Sequence, residues 1–183
     1  MKTLDGKHNR ISIRLKGYDY SRQGLYFITI CTKEREHLFG QLRNSIVGLS
    51  DIGCFVQQCW QDIPKHFPNT ILHAFVIMPD HIHGIIEIVD GADVVRANNY
   101  SPLHSPLHSP LHSPLRMRPN GTSRTLGSII RGFKIGVTKL VGFAVWQRNY
   151  YEHIVRSANE YERIVEYIIQ NPRKGNSNDV YRI

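Results

Sequence analysis

The chain has 183 residues, 41% hydrophobic and 21% charged, enough for one domain with its own core and too few for two ordinary ones. Lysine and arginine outnumber aspartate and glutamate by 23 to 15, a formal charge of +8, which favours a polyanionic partner by counterion release and electrostatic steering. The longest apolar runs are strand-sized, Met1–Asp5 begins no apolar leader, and Cys31, Cys54 and Cys59 lack a C-x-x-C spacing. No membrane span, signal peptide, disulfide framework or cysteine zinc site is expected, and the protein is placed in the cytoplasm.

In chain order, His8–Lys16 is a basic arm carrying Arg10, Arg14 and Lys16. Leu25–Thr32 is rich in aromatic and β-branched residues and reads as a strand. Ser50 caps a helix whose apolar side is Ile52, Phe55, Val56, Cys59 and Ile63, ending near Pro64. Ile71–Met78 and His81–Val89 form a hairpin about a turn with proline in its second position. From about 90 to 123 the composition changes: Ser101-Pro-Leu-His recurs at 105 and 109 and closes as Ser113-Pro-Leu-Arg116. Proline at every fourth position forbids a regular helix, so this is an extended surface loop within a single domain, 1–183. Repetition explains the spacing of His104, His108 and His112 better than metal binding does.

After the loop, Leu126, Ile130, Phe133, Val137 and Leu140 recur at helical spacing, with Arg131, Lys134 and Thr138 on another face. Val141–Gln147 reads as a short last strand. Ser157-Ala-Asn-Glu160 is a capping box opening a final helix, with Tyr161, Ile164, Val165, Ile168 and Ile169 as its buried stripe and Pro172 as its end. The order strand, helix, strand, strand, helix, short strand, helix predicts an α+β fold: a ferredoxin-like split β-α-β sandwich with an antiparallel sheet and an added C-terminal helix.

Two places carry chemistry. His81 and His83, two apart on a strand, point the same way as Ile85 and Glu87, and two co-facial imidazoles can hold a divalent cation with room for substrate oxygens. With ten histidines in the chain, such a pair also arises by chance. Tyr167 is the second: a phenol can attack phosphorus and store the phosphodiester bond as phosphotyrosine, although a helix tyrosine at a core boundary looks the same in sequence. Asn171, one turn on, or its neighbour Gln170, can supply an amide oxygen to the same cation. Tyr150 and Tyr151 are rival nucleophiles within an aromatic, polar cluster suited to stacking bases, Trp146–His153.

The run Met78-Pro-Asp-His-Ile-His-Gly84 resembles the HUH motif of IS200/IS605-like single-tyrosine transposases. Trp146-Gln-Arg-Asn-Tyr-Tyr-Glu-His-Ile-Val-Arg156 and Tyr167-Ile-Ile-Gln-Asn-Pro172 resemble the REP-associated tyrosine transposase subgroup, as do Ser12–Tyr20 and Tyr26–Thr32. The resemblance covers nearly the whole chain apart from the repeat loop. It implies a ferredoxin-like core, Mg²⁺ or Mn²⁺ on His81 and His83, Tyr167 as nucleophile, and Asn171 where many insertion-sequence members carry glutamine. It further implies single-stranded DNA with palindromic hairpins as substrate, nicked and rejoined through a 5′-phosphotyrosine. Arg10, Arg14, Lys16, Arg131, Lys134, Arg148 and Arg156 would grip the backbone. Insertion-sequence members act as homodimers while the REP-associated type can be a monomer, and the sequence favours neither. Two other classes remain open: a non-catalytic nucleic-acid-binding domain in which Tyr26 and Phe27 stack bases, and a metal-dependent phosphodiester hydrolase.

Overall fold

Near-continuous burial along β1 (Gly24–Cys31) and β5 (His81–Ile88) sets the plan of the molecule. In the computed structural model, which describes residues 17–89 and 124–174 apart from the Lys174 side chain, these two strands lie at the centre of a four-stranded antiparallel sheet. Its order is β4 (Thr70–Met78), β5, β1, β6 (Tyr151–Val155). Tyr26, Phe27, Ile28, Ile30, Ile82, Ile85 and Ile86 are all fully buried, because helices cover both faces of the sheet. On one face α1 (Asp51–Gln61) and α3 (Leu126–Val141) pack Val56, Trp60, Ile130, Phe133 and Val137 against Tyr26, Ile28, Ile30, Ile82 and Ile86. On the other, α4 (Ala158–Lys174) sets Ile164 and Ile168 against Phe27, Ile85 and Val155. The expected α+β sandwich with an antiparallel sheet and a C-terminal helix is the observed fold.

Several local expectations needed correction. A second small sheet, β2 (Gly40–Arg43) with β3 (Ile46–Leu49), was not expected; its signal is Asn44-Ser45, both at positive φ, as a tight hairpin turn requires. Ser50 does cap α1, accepting from the Gly53 amide at 3.1 Å, but the residues fully buried on that helix are Gly53, Val56 and Trp60. Ile63 belongs to a separate short helix, α2 (Ile63–His66). Leu140 is exposed, and Ile129 joins Leu126, Ile130, Phe133 and Val137 in the buried α3 stripe. The last strand is Tyr151–Val155, not Val141–Gln147: α3 runs through Val141 and closes on Gly142 in the left-handed conformation (φ 85°), a C-cap that turns the chain away. Trp146 makes only an isolated bridge to Thr32. Pro172 lies inside α4 rather than ending it; in the last turn a proline costs one intrahelical bond and is tolerated. Ile169 is 65% exposed, whereas Asn171 is buried, so the inner stripe of α4 runs Tyr161, Ile164, Ile168, Asn171. The basic arm and the Ser-Pro-Leu-His loop lie outside the described residues.

Candidate active site

A two-residue turn, Pro79-Asp80, starts β5 at His81, and strand alternation then puts His81, His83, Ile85 and Glu87 on the face that meets α4. Across β1 the register pairs Cys31 with His81 and Thr29 with His83. Both imidazoles are almost wholly buried, at 3% and 0% exposure, and their Nε2 atoms stand 3.1 Å apart. Phe27 stacks on His83 with ring centroids 5.6 Å apart.

Each imidazole is held from behind through its Nδ1. His81 Nδ1 lies 2.6 Å from Asp80 Oδ1, and Asp80 Oδ2 lies 2.9 Å from Arg35 Nε. His83 Nδ1 lies 2.7 Å from Thr29 Oγ1. Burial alone would raise the Asp80 carboxyl, but the bond to His81 and the nearby charges of His81, Arg35 and His37 outweigh it and hold the group below the usual range. An ionised carboxylate only accepts, so His81 carries a proton on Nδ1. Burial, with His81 and Arg35 close by, keeps His83 well below the ordinary histidine value, hence neutral near pH 7.

Tyr167 approaches from the opposite layer. Its hydroxyl is 3.2 Å from His83 Nε2, with the rings 5.1 Å apart in an edge contact. The start of α4 is fixed by the capping box: the Glu160 amide donates to Ser157 Oγ at 3.2 Å. The Glu160 carboxylate reaches one residue further back than the usual box, accepting from the Arg156 amide at 2.7 Å, and meets His153 Nε2 at 2.8 Å. On β4, His73 bridges Tyr161 of α4 (3.0 Å) and Glu87 (2.8 Å). Imidazoles from three adjacent or near strands thus reach this helix.

No known family profile matches the chain. It is 47% identical over 172 residues to an uncharacterized protein of Haemophilus influenzae, covering 91% of this chain and 90% of that one. A second H. influenzae protein, described as a REP-associated tyrosine transposase, is 25% identical over 156 residues, with 85% and 74% covered. A solved REP-associated tyrosine transposase, bound to a REP hairpin, superposes with a TM-score of 0.59 at 19% identity, covering 91% of this chain and 75% of that one. The chain is thus similar in sequence to a REP-associated tyrosine transposase and shares the fold of a solved one. Similarity to these proteins supports a transposase-like function.

The positions singled out in the sequence separate into groups. His81, His83 and Tyr167 come together, and Asn171 is buried one turn after Tyr167. Gln170 turns to the outer side of α4, donating to Glu166 at 2.7 Å. Arg131, Arg148 and Arg156 are exposed. Lys134 folds inward instead, donating to the carbonyls of Gln147 (2.8 Å) and Asn149 (3.2 Å), and burial lowers its ammonium to about 8. Tyr150 lies beneath that ammonium, 5.8 Å from Nζ to the ring centroid. Tyr151 pairs with Thr29 on β1 and packs at the edge of Phe27. Tyr26 and Phe27 are fully buried, so they cannot serve as a base-stacking platform. Arg10, Arg14 and Lys16 lie outside the described residues.

Sequence reasoning passed over Thr29, Arg35 and Asp80. Asp80 was visible only as a turn residue, and Thr29 and Arg35 become partners through pairing of β1 with β5, which no local pattern reports. The imidazole pair fits a divalent cation on this geometry. With metal–nitrogen bonds of about 2.1 Å, two ligands at a right angle stand about 3 Å apart, close to the observed 3.1 Å. Partners on both Nδ1 atoms leave both Nε2 atoms to converge, the arrangement usual for metal-binding histidines. Among the described residues no group of three or more histidine, cysteine or acidic side chains converges. Further ligands would therefore come from an amide, a phosphate oxygen or water.

Proposed function

We propose that the chain is a metal-dependent nickase and strand-transferase of single-stranded DNA that works through a 5′-phosphotyrosine on Tyr167. The observation that carries this reading is the Tyr167 hydroxyl, 3.2 Å from Nε2 of a buried histidine whose own Nε2 neighbour is a second histidine at 3.1 Å. A nucleophile and a candidate metal pair within reach of one phosphate is what phosphoryl transfer to a side chain needs.

His81 and His83, with the buried amide of Asn171, would hold the cation; imidazole donors suit Mn²⁺ better than Mg²⁺, which takes oxygen ligands by preference. Bound there, a divalent cation supplies Lewis acidity to a non-bridging phosphate oxygen. The Tyr167 oxygen attacks phosphorus in line with the departing 3′ oxygen. The phenol loses a proton, the 3′ oxygen gains one, and the 5′ phosphate stays esterified to the protein. A 3′-hydroxyl from another strand reverses the exchange, so one phosphodiester is traded for another and no nucleotide is hydrolysed. Phe27 and α4 screen this point from bulk water, as the burial of both histidines attests. Exposed Arg131, Arg148 and Arg156 are available to the backbone of the strand. A flexible single strand reaches a phenol set between a helix and a sheet more readily than a stacked duplex, and the related solved transposase is bound to a REP hairpin.

The test is a denaturing gel. Labelled single-stranded hairpin DNA is incubated with the protein and Mn²⁺, and label that travels with the polypeptide is scored. Tyr167→Phe and His81→Ala should lose the band, while Tyr150→Phe and Tyr151→Phe should keep it. Cleavage that persists in Tyr167→Phe without a covalent band would point to water as the nucleophile and overturn the proposal.

A further inference from the structure

The turn Lys33–Arg35 carries two non-glycine residues in the left-handed region, Glu34 at φ 55° and Arg35 at φ 60°. Side chains disfavour that conformation, and such strain collects where a structure needs a particular group in a particular place. The Arg35 side chain does not run out into water. Its Nε meets Asp80 Oδ2 at 2.9 Å, and its Nη1 meets Sγ of Cys31 at 2.9 Å, the residue opposite His81 in the sheet.

We propose that Arg35 is a positioning residue for the candidate metal site, acting through Asp80 to fix the His81 ring with Nε2 turned towards His83. This rests on the reading of His81 and His83 as metal ligands. Asp80 is gripped at both ends. Its carbonyl accepts from the Thr32 amide at 2.9 Å and from Thr32 Oγ1 at 3.0 Å, and its carboxylate is spanned by Arg35 on one oxygen and His81 on the other. The strained turn is itself pinned from outside, Lys33 donating to the Val145 carbonyl at 2.8 Å. With one oxygen engaged by the guanidinium, the carboxylate presents the other to Nδ1 in a single orientation, and the ring cannot flip without losing a bond at 3% exposure. Outer partners of this kind tune metal affinity by about 10–100-fold.

Arg35→Gly removes the guanidinium and relieves the left-handed backbone together, and affinity read well below the unfolding transition separates positioning from structural support. Mn²⁺ binding to the full chain without DNA is followed by electron paramagnetic resonance of the free ion, alongside thermal unfolding without metal. Arg35→Gly is expected to bind Mn²⁺ about 10–100-fold more weakly than the parent while still folded at the binding temperature, with a lower metal-free melting temperature because the buried Asp80 carboxylate loses its partner. Affinity within about twofold of the parent, set against that 10–100-fold expectation, would overturn the inference. So would a weakening accompanied by loss of the folded circular dichroism signal at the binding temperature. A parent chain whose Mn²⁺ binding is absent, or unchanged by His81→Ala, would instead sink the metal-site reading, and this inference with it.

Discussion

Gly84 separates His83 from Ile85 on β5 and faces the other side of the sheet, where a β-carbon would meet the Trp60 ring at 2.5 Å and Phe75 at 3.1 Å. Ordinary van der Waals contact begins near 3.4 Å, so Gly84→Ala demands about 1 Å of movement by one partner. Trp60 has little freedom to give it. It is 2% exposed, stacked on Phe75 at 4.3 Å and 7°, and met edge-on by Phe133 at 5.7 Å. The strand would move instead, carrying His83 away from Tyr167. Overpacking of this kind costs about 1–3 kcal/mol, and with the rings locked the upper part of that range is expected, about 2–3 kcal/mol. For a chain of this size that lowers the melting temperature by about 4–12 °C. Thermal unfolding by circular dichroism measures the shift. Covalent DNA capture, assayed well below the transition, should fall as well. A Gly84→Ala protein as stable and as active as the parent would refute the claim that the Trp60–Phe75 stack fixes the histidine strand.

Three further outcomes follow from the same contacts. Removing the hydroxyl in Tyr167→Phe deletes its hydrogen bond to His83, so guanidinium unfolding should register a loss of about 0.5–1.5 kcal/mol while covalent capture disappears; a much larger loss would make Tyr167 a structural pin. The Glu160 carboxyl is held low by the Arg156 amide and then by His153, so its contribution is present above the ordinary carboxylate value and is lost as pH falls through the folded one. Glu160→Gln should flatten the acid side of the thermal stability profile. Burial lowers Lys134 from 10.5 to about 8, so between those values the unfolded chain binds the extra proton and stability rises with pH. Lys134→Met should remove that rise, read as the difference between the two proteins in denaturant unfolding across the window.

Much of the fold was legible because period-2 and period-3.6 patterns survive burial. β1, the β4–β5 hairpin, α1, α3 and α4 were all placed, as was the face of β5 that carries His81 and His83. The failures have physical causes. Tyr151–Val155 mixes Glu152 and His153 into a strand because β6 is an edge strand, and a polar composition there read as a binding cluster. The β2–β3 hairpin announces itself only through the left-handed pair Asn44-Ser45. Ile169 was assigned to the core on hydrophobicity, yet α4 meets the sheet along Ile164, Ile168 and Asn171, so a polar residue is buried and an apolar one exposed. The catalytic candidates were visible as chemical types in sequence. Their supports, Thr29, Asp80 and Arg35, were not, since a partner across the sheet leaves no periodicity.

The most direct measurement locates the bond. After reaction with a single-stranded hairpin and Mn²⁺, the protein is digested with trypsin and the nucleotide-bearing peptide is sequenced by mass spectrometry. A 5′-phosphonucleotide on Tyr167, within the fragment Ile164–Arg173, is the expected result. The same adduct on Tyr151 or Tyr150, or strand cleavage with no adduct on any tyrosine, would contradict the account.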